Sequence, residues 1–266
     1  MREYISRVTF VSEEQKQVGV PVNQAAPMLE HTLIDLLSHM RSRAQVADSL
    51  AERISLTRDI DLYALAFYSI RRGYDLSFTL GSQILKLPES KGLIFNFQFG
   101  KTLRASSESV VVLAYQDCPA ICAFRAVTDY IAAVQLIGWD LTAGHLFPSV
   151  SAEGGRGSLS LSAARMATAL QDHLRAAELP SPFTMHSIRV GGSLSNSLAG
   201  TAVDEIMKFG GWKTESVAKY YIGATSIDSG RVHGSKRKRG QTYNDASELP
   251  LLPEFEKDFE ACAGKD

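Results

Sequence analysis

Arg72, Lys101, His186, Arg189, Trp212 and one tyrosine of the adjacent pair Tyr220 and Tyr221 are the side chains of this sequence whose types could do chemistry together. Two guanidiniums, an ammonium, an imidazole and an indole N–H are nearly all hydrogen-bond donors, and several are cationic. Such a set suits an anion. Arginine presents a planar fork that matches phosphate, and two of them around one phosphorus can hold both non-bridging oxygens of a phosphodiester. A tyrosine hydroxyl can attack that phosphorus and form a covalent phosphoenzyme, dividing one hard step into two easier ones. No cluster of Asp and Glu at metal-ligand spacing accompanies the set. The chemistry indicated is phosphoryl transfer without a metal or cofactor, in which positive side chains stabilise the transition-state charge.

These residues need elements to position them. His186, Arg189, Trp212 and both tyrosines share one segment, HSIRVGGSLSNSLAGTAVDEIMKFGGWKTESVAKYY, too polar and glycine-rich to be core alone. Within it, Thr201-Ala-Val-Asp204 reads as a capping-box-like start, Val203, Ile206 and Met207 as an apolar face, and Gly210 as a stop. A final short helix carries Thr214 to Tyr221. Arg72 follows a helix expected over 58–70, with Gly73 as its terminus. Residues 84–87, 93–99 and 110–115 are apolar or β-branched runs parted by Pro88, Gly92 and Gly100, which predicts a small antiparallel sheet. Leu93, Phe95, Phe97 and Phe99 form its apolar face. Lys101 falls at the tip after the middle strand. Gly100-Lys-Thr102 is not a phosphate-binding P-loop, because the position five before Gly100 is Phe95. Further helices are expected over 29–40, 119–136 and 160–179, with loop over 138–158. The fold class expected is mainly α with a small three-stranded antiparallel sheet, an α+β arrangement.

Composition bounds the rest. The chain has 266 residues, 45% of them hydrophobic, which is ample for a packed core. No apolar run approaches the roughly 18 residues of a membrane span, and the first residues lack the apolar core of a secretory signal, so an intracellular protein with no membrane partner is expected. Cys118, Cys122 and Cys262 give an odd count and no disulfide framework, and the first pair lacks a second pair at zinc-like spacing. The net charge of −1 is less basic than many nucleic-acid-binding domains, so the distribution of charge carries more information than its sum.

Taken together, the residues resemble the catalytic domain of the tyrosine recombinases, the phage-integrase family that shares its core with type IB topoisomerases. Arg72-Gly-Tyr-Asp75-Leu76 is similar to the family's R-x-x-E-L pattern at a helix end, with Asp75 in place of glutamate. Lys101 matches the lysine between the second and third strands, His186-Ser-Ile-Arg189 the H-x-x-R box, and Gly211-Trp212 the Gly-His/Trp pair. The family nucleophile follows that His/Trp by nine positions, which selects Tyr221 over Tyr220. The resemblance spans about residues 30 to 225. It implies DNA strand cleavage and rejoining, as in site-specific recombination or integration, through a 3′-phosphotyrosyl intermediate with a free 5′ hydroxyl and no need of metal or ATP. Arg72 and Arg189 would clamp the phosphate with help from His186 and Trp212, Lys101 would act as general acid, and Asp75 would orient Arg72. Relaxation of DNA in the manner of a type IB topoisomerase, and a non-catalytic DNA-binding relic of a mobile element, are the alternatives. Family members carry a helical core-binding domain before the catalytic one. Residues 1–28 are expected to be its remnant plus a linker, 29–228 the catalytic domain and 229–266 a tail.

Lys236, Arg237, Lys238 and Arg239 form a basic patch in that tail, suited to a DNA backbone or to nuclear localisation in a eukaryotic cell, with the cytoplasm expected otherwise. A nuclear signal would make the chain similar to recombinases of cryptons or tyrosine-recombinase retrotransposons. Arg71, Arg104 and Lys213 are further candidate DNA contacts. Leu252, Phe255 and Phe259 line one face of a candidate C-terminal helix that, by the resemblance, would dock on a neighbouring protomer. The partners expected are double-stranded DNA and further copies of the chain, as a tetramer on that DNA.

Overall fold

The computed structural model describes residues 25–88, 91–98, 108–114, 118–180 and 182–223. Helices α1 (Glu30–Val46) and α2 (Leu50–Ser69) come first. The spacing of Leu33, Leu36, Leu37 and Met40 gives α1 one buried face. Helix α2 has no such polarity: Ile54, Leu56, Ile60, Leu62, Tyr63, Leu65 and Phe67 are buried around it, because other helices pack on several of its sides. It begins well before the expected Arg58. Its start is set by Ser49, whose hydroxyl accepts the Glu52 N–H and satisfies one of the free donors of the first turn.

The end of α2 differs from expectation. Ile70, at φ 55°, takes the left-handed C-cap expected of Gly73, and Gly73 instead opens the short helix α3 (Gly73–Ser77). Strands β1 (Ile84–Lys86), β2 (Gly92–Phe97) and β3 (Glu108–Leu113) then form the expected antiparallel sheet in the order β1-β2-β3, the third beginning two residues earlier than expected. Register sets Phe95 opposite Ile84 and Val110, and Phe97 opposite Glu108. Leu93, Phe95, Phe97, Val110 and Val112 are buried, while Leu85, Val111 and Leu113 on the other face stay exposed.

After a 3₁₀ turn at Pro119–Ile121, α4 (Ala123–Gln135) lays Phe124, Val127, Tyr130 and Val134 against α2. Part of the stretch expected to be loop is a hairpin of β4 (Pro148–Val150) and β5 (Arg156–Ser160), turning through Gly154 at φ 80°. Helix α5 (Ala163–Ala176) is capped by Ser162 and buries Met166, Leu170 and Leu174. Helix α6 (Met185–Leu198) starts at a reciprocal cap between Thr184 and Ser187. Its glycines serve close helix packing: a Cβ on Gly191 would lie 1.8 Å from the Met28 carbonyl oxygen, and one on Gly192 2.1 Å from that of Phe67. Met28 is itself fully buried and donates its N–H to the Ser187 carbonyl.

Helices α7 (Val203–Gly210) and α8 (Glu215–Gly223) complete the described chain. Ala202 is the N-cap of α7 and makes no side-chain cap, so Thr201 does not play the capping role its sequence suggested. Gly211, at φ 62°, ends the helix one residue later than expected. Cys118 and Cys122 are free thiols. Among the described residues no helix is long and apolar enough to cross a membrane.

Two apolar clusters result. The larger gathers α1, α2, the sheet's inner face, α4, α5 and the start of α6. The smaller consists of Ile70, Val190, Ile206, Trp212, Ala218 and Tyr221.

Candidate active site

The H-x-x-R spacing on α6 places His186 and Arg189 one turn apart on the same side of the helix. Arg189 is fully buried, and its Nη2 donates to the Gly210 carbonyl at 2.8 Å. That carbonyl is at the C-terminal end of α7, where unpaired carbonyls concentrate negative potential. The guanidinium also lies over two aromatic rings, 4.8 Å from Trp212 and 5.4 Å from Tyr221. Its Nε and Nη1 have no hydrogen-bond partner among the described residues. Burial, and then the charge of Arg72, lower the Arg189 pKa to about 10, so it remains a cation at neutral pH. A buried guanidinium with unused donors is costly until an anion reaches it.

Gly211 turns the chain so that Trp212 folds back over α8. Its ring stacks on Tyr221 at 4.5 Å between centroids and 26° between planes. The indole Nε1 is buried without a hydrogen-bond partner among the described residues. Tyr221 is 8% exposed, and its hydroxyl lies 3.2 Å from His186 Nε2. Tyr220 is 44% exposed and meets Tyr221 edge to face. Helical geometry explains the difference: neighbouring positions point about 100° apart, so only one of the two can face α6. The structure therefore brings His186, Arg189, Trp212 and Tyr221 together and turns Tyr220 outward.

Arg72 enters from the other side as the N-cap of α3. Its side chain is 31% exposed and its Nη1 stands 3.7 Å from Asp75 Oδ2, a loose ion pair with a buried carboxylate. Gly73 lets this corner abut the start of α6, since a Cβ there would lie 2.8 Å from Met185 Cε. The His186 ring is exposed on its outer side. Partial burial, then the charges of Arg189 and Arg72, hold its pKa below the ordinary 6.5, which favours a neutral imidazole at pH 7. A neutral ring can accept a proton at Nε2.

Other sequence candidates fall differently. Arg71 is not a surface DNA contact: it is buried, with its guanidinium 5.0 Å from the Phe97 ring and Nη2 2.7 Å from Glu108 Oε2. Lys213 is exposed beside Trp212. Lys101, Arg104, Lys236, Arg237, Lys238, Arg239, Cys262 and the candidate C-terminal helix lie outside the described residues. Glu108 and Ile70, which shape the site's surroundings, carried no sequence signal, because Glu108 precedes the expected third strand and isoleucine rarely takes a left-handed cap.

No family model and no curated protein sequence matches the chain. Solved structures do. The XerH site-specific recombinase, in a post-cleavage complex with its palindromic difH substrate, matches with a TM-score of 0.57 at 12% identity, over 78% of this chain and 51% of that one. XerA recombinase matches at 0.55 and 17% identity, over 78% and 63%. The pre-cleavage complex of XerH with difH gives 0.55 and 11%, over 74% and 49%. The chain thus spans about half to somewhat under two thirds of the length of these neighbours. They are tyrosine recombinases, and the fold of this chain is that of their catalytic domain.

Proposed function

We propose that this protein cleaves and rejoins DNA strands through a covalent bond between Tyr221 and a DNA 3′ phosphate. The observation that carries the reading is the buried Arg189, with two unused nitrogens over Tyr221 and the unpaired indole N–H of Trp212 in the same small cluster. These donors await an anion beside a hydroxyl already hydrogen-bonded to an imidazole. The DNA-bound XerH neighbours, whose fold the chain shares, support DNA as the source of that anion.

In this mechanism the Tyr221 oxygen attacks the scissile phosphorus and its proton passes to His186 Nε2. Arg72 and Arg189 hold the non-bridging oxygens, and Trp212 Nε1 adds a donor as negative charge grows there. The 5′ oxygen leaves as a hydroxyl, with Lys101 supplying its proton. A 5′ hydroxyl from a second strand then attacks the phosphotyrosine, displaces Tyr221 and takes the first step in reverse. One phosphoester replaces another throughout, so no ATP is required, and the cationic side chains fill the charge-stabilising role that a metal would otherwise take. Asp75 orients Arg72. Strand exchange on duplex DNA requires copies of the chain to assemble on it, as a tetramer with the C-terminal segment docking between protomers and the basic tetrapeptide on the DNA backbone or serving nuclear entry.

A nicked duplex that loses its short 5′ fragment on cleavage tests the reading. The wild type should accumulate a covalent protein–DNA adduct, Tyr221→Phe none, and Tyr220→Phe as much as wild type. Wild-type binding without any adduct would instead identify a non-catalytic DNA-binding protein. Relaxation of supercoils by unpaired copies would favour the topoisomerase-like reading.

A further inference from the structure

Arg71, a buried arginine, and Glu108, a partly exposed glutamate, form a contact for which the proposed reaction has no use. Arg71 immediately precedes Arg72, its side chain is 3% exposed, and its Nη2 meets Glu108 Oε2 at 2.7 Å. Glu108 opens β3 and pairs in register with Phe97, the last residue of β2. Because Arg71 also lies 5.0 Å over the Phe97 ring, it grips both strands at the same end of the sheet. A third element meets the pair. A Cβ on Gly211 would lie 2.8 Å from Arg71 Nη1 and 3.3 Å from Glu108 Oε2, so the turn that delivers Trp212 rests on the ion pair itself.

Three corners of the fold therefore converge on one guanidinium: the end of α2 that presents Arg72, the Phe97–Glu108 end of the β2–β3 pair, where the chain leaves β2 and enters β3, and the Gly211–Trp212 turn. We infer that Arg71 and Glu108 are positioning residues, an internal tie that fixes the Trp212–Tyr221 stack relative to Arg72. This deepens the reading under Proposed function and rests on it. A long cationic side chain can span the three corners where an apolar one could not direct its contact, and the carboxylate occupies Arg71 so that it does not compete with Arg72 and Arg189 for the phosphate. Neither residue touches the reacting atoms. Their effect is on distance and orientation, which strongly govern reaction between groups held in place.

The test separates positioning from folding. Removing Glu108 leaves the buried Arg71 cation without its partner, and removing Arg71 leaves a carboxylate that is 29% exposed without one, whereas replacing both by apolar groups is often tolerated. Three variants are compared with wild type: Glu108→Gln, Arg71→Met, and Arg71→Met with Glu108→Leu. Each is measured for thermal midpoint, for affinity to the nicked duplex, and for the single-turnover rate of adduct formation at saturating DNA. Glu108→Gln should cleave about tenfold or more slowly with unchanged affinity. The double variant should regain much of the midpoint lost by Arg71→Met yet remain as slow. The chain has two tryptophans, Trp139 and Trp212, so a Trp139→Phe background isolates Trp212 emission, which should shift to the red in all three variants of the free protein. Wild-type cleavage by Glu108→Gln, or recovery of rate together with midpoint in the double variant, overturns the inference. If wild type forms no adduct, the catalytic reading fails first. The Trp212 emission then decides the tie on its own, an unshifted spectrum overturning it.

Discussion

The two apolar clusters do different work. The larger is built from residues far apart in the chain, among them Leu36, Phe67, Phe95, Tyr130 and Leu170, all fully buried. The smaller joins the cap of α2 to α6, α7 and α8, and two of its six buried members, Trp212 and Tyr221, belong to the candidate site. Helix α6 is the seam between them: Ile188 belongs to the first cluster and Val190 to the second, with Arg189 between. The large cluster holds the chain folded. The small one holds Tyr221, the proposed nucleophile, against the Arg189 guanidinium and the Trp212 ring, helped by polar contacts such as Arg189 to Gly210 and Tyr221 to His186. A site seated on few apolar groups can adjust locally without unfolding the body that carries it.

That division predicts unequal responses to the same kind of damage. Phe67→Ala, in the large cluster, should cost about 3–5 kcal/mol in chemical unfolding, through lost burial and the cavity left behind. The adduct formed per folded molecule should stay near wild type. Ile206→Ala, in the small cluster, should lower the global midpoint less but speed hydrogen exchange through residues 215–222 and slow cleavage. If both variants lower the global midpoint equally and leave exchange in α8 unchanged, the clusters unfold as one unit and the distinction fails.

The seam itself offers a smaller, more local test. A methyl group at Gly192 would meet the Phe67 carbonyl oxygen at 2.1 Å, and this neighbour is backbone, so α2 and α6 must part. Gly192→Ala should cost about 1–3 kcal/mol as overpacking and disturb the large cluster. Gly138→Ala is its control. Nothing lies within 4 Å of a methyl group there, but the residue sits at φ 80°, so its cost should come from backbone strain alone, about 1–2 kcal/mol. Thermal unfolding of both, with cleavage rates alongside, would show whether crowding at the seam reaches the site.

The same contrast explains what the sequence revealed. Period-two alternation in Leu93, Phe95 and Phe97 made the sheet legible, because one face is buried and the other wet. The N-terminal half of α2 was not, since a helix covered on several sides has no polar face to mark it; Ser49 followed by Glu52 was the available start signal. The β4–β5 hairpin hid behind Pro148 and Gly154, and its strands are short, with Pro148 their one buried residue. In the site, His186, Arg189, Trp212 and Tyr221 could be singled out by type and spacing, yet their assembly with Arg72 depends on α6 packing on α2 at Gly192 and on the Met28 backbone at Gly191, a tertiary fact. Arg71 was misplaced for a physical reason: an arginine at a helix end is ordinarily solvated, and only Glu108, on a distant strand, makes its burial tolerable. Ile70 was missed similarly. Its left-handed cap costs about 1–2 kcal/mol, and burial of its side chain in the small cluster offsets that strain.

Acid should pull the two regions in opposite directions. Asp61 lies in the large cluster's helix, fully buried, with neither carboxylate oxygen hydrogen-bonded among the described residues. Burial, and then the charge of Asp129, raise its pKa well above the ordinary 3.8. The folded state then binds the proton more tightly than the unfolded chain, so Asp61 costs nothing at low pH and weakens the fold as pH rises from about 4 toward its folded value. His186 behaves the other way. Its folded pKa lies below 6.5, so the unfolded chain binds more protons just under that pH and the His186 contribution, complete above 6.5, is lost as pH falls through the lowered value. Asp61→Asn should therefore gain stability over wild type at pH 7 and lose that advantage toward pH 4. His186→Gln should flatten the wild-type loss between pH 7 and pH 5, by less, because the exposed side of the ring is screened by water. Unfolding midpoints of the two variants and wild type across that range provide the measurement. Parallel curves for wild type and His186→Gln would mean that neither burial nor the two arginines shift His186 in the free protein.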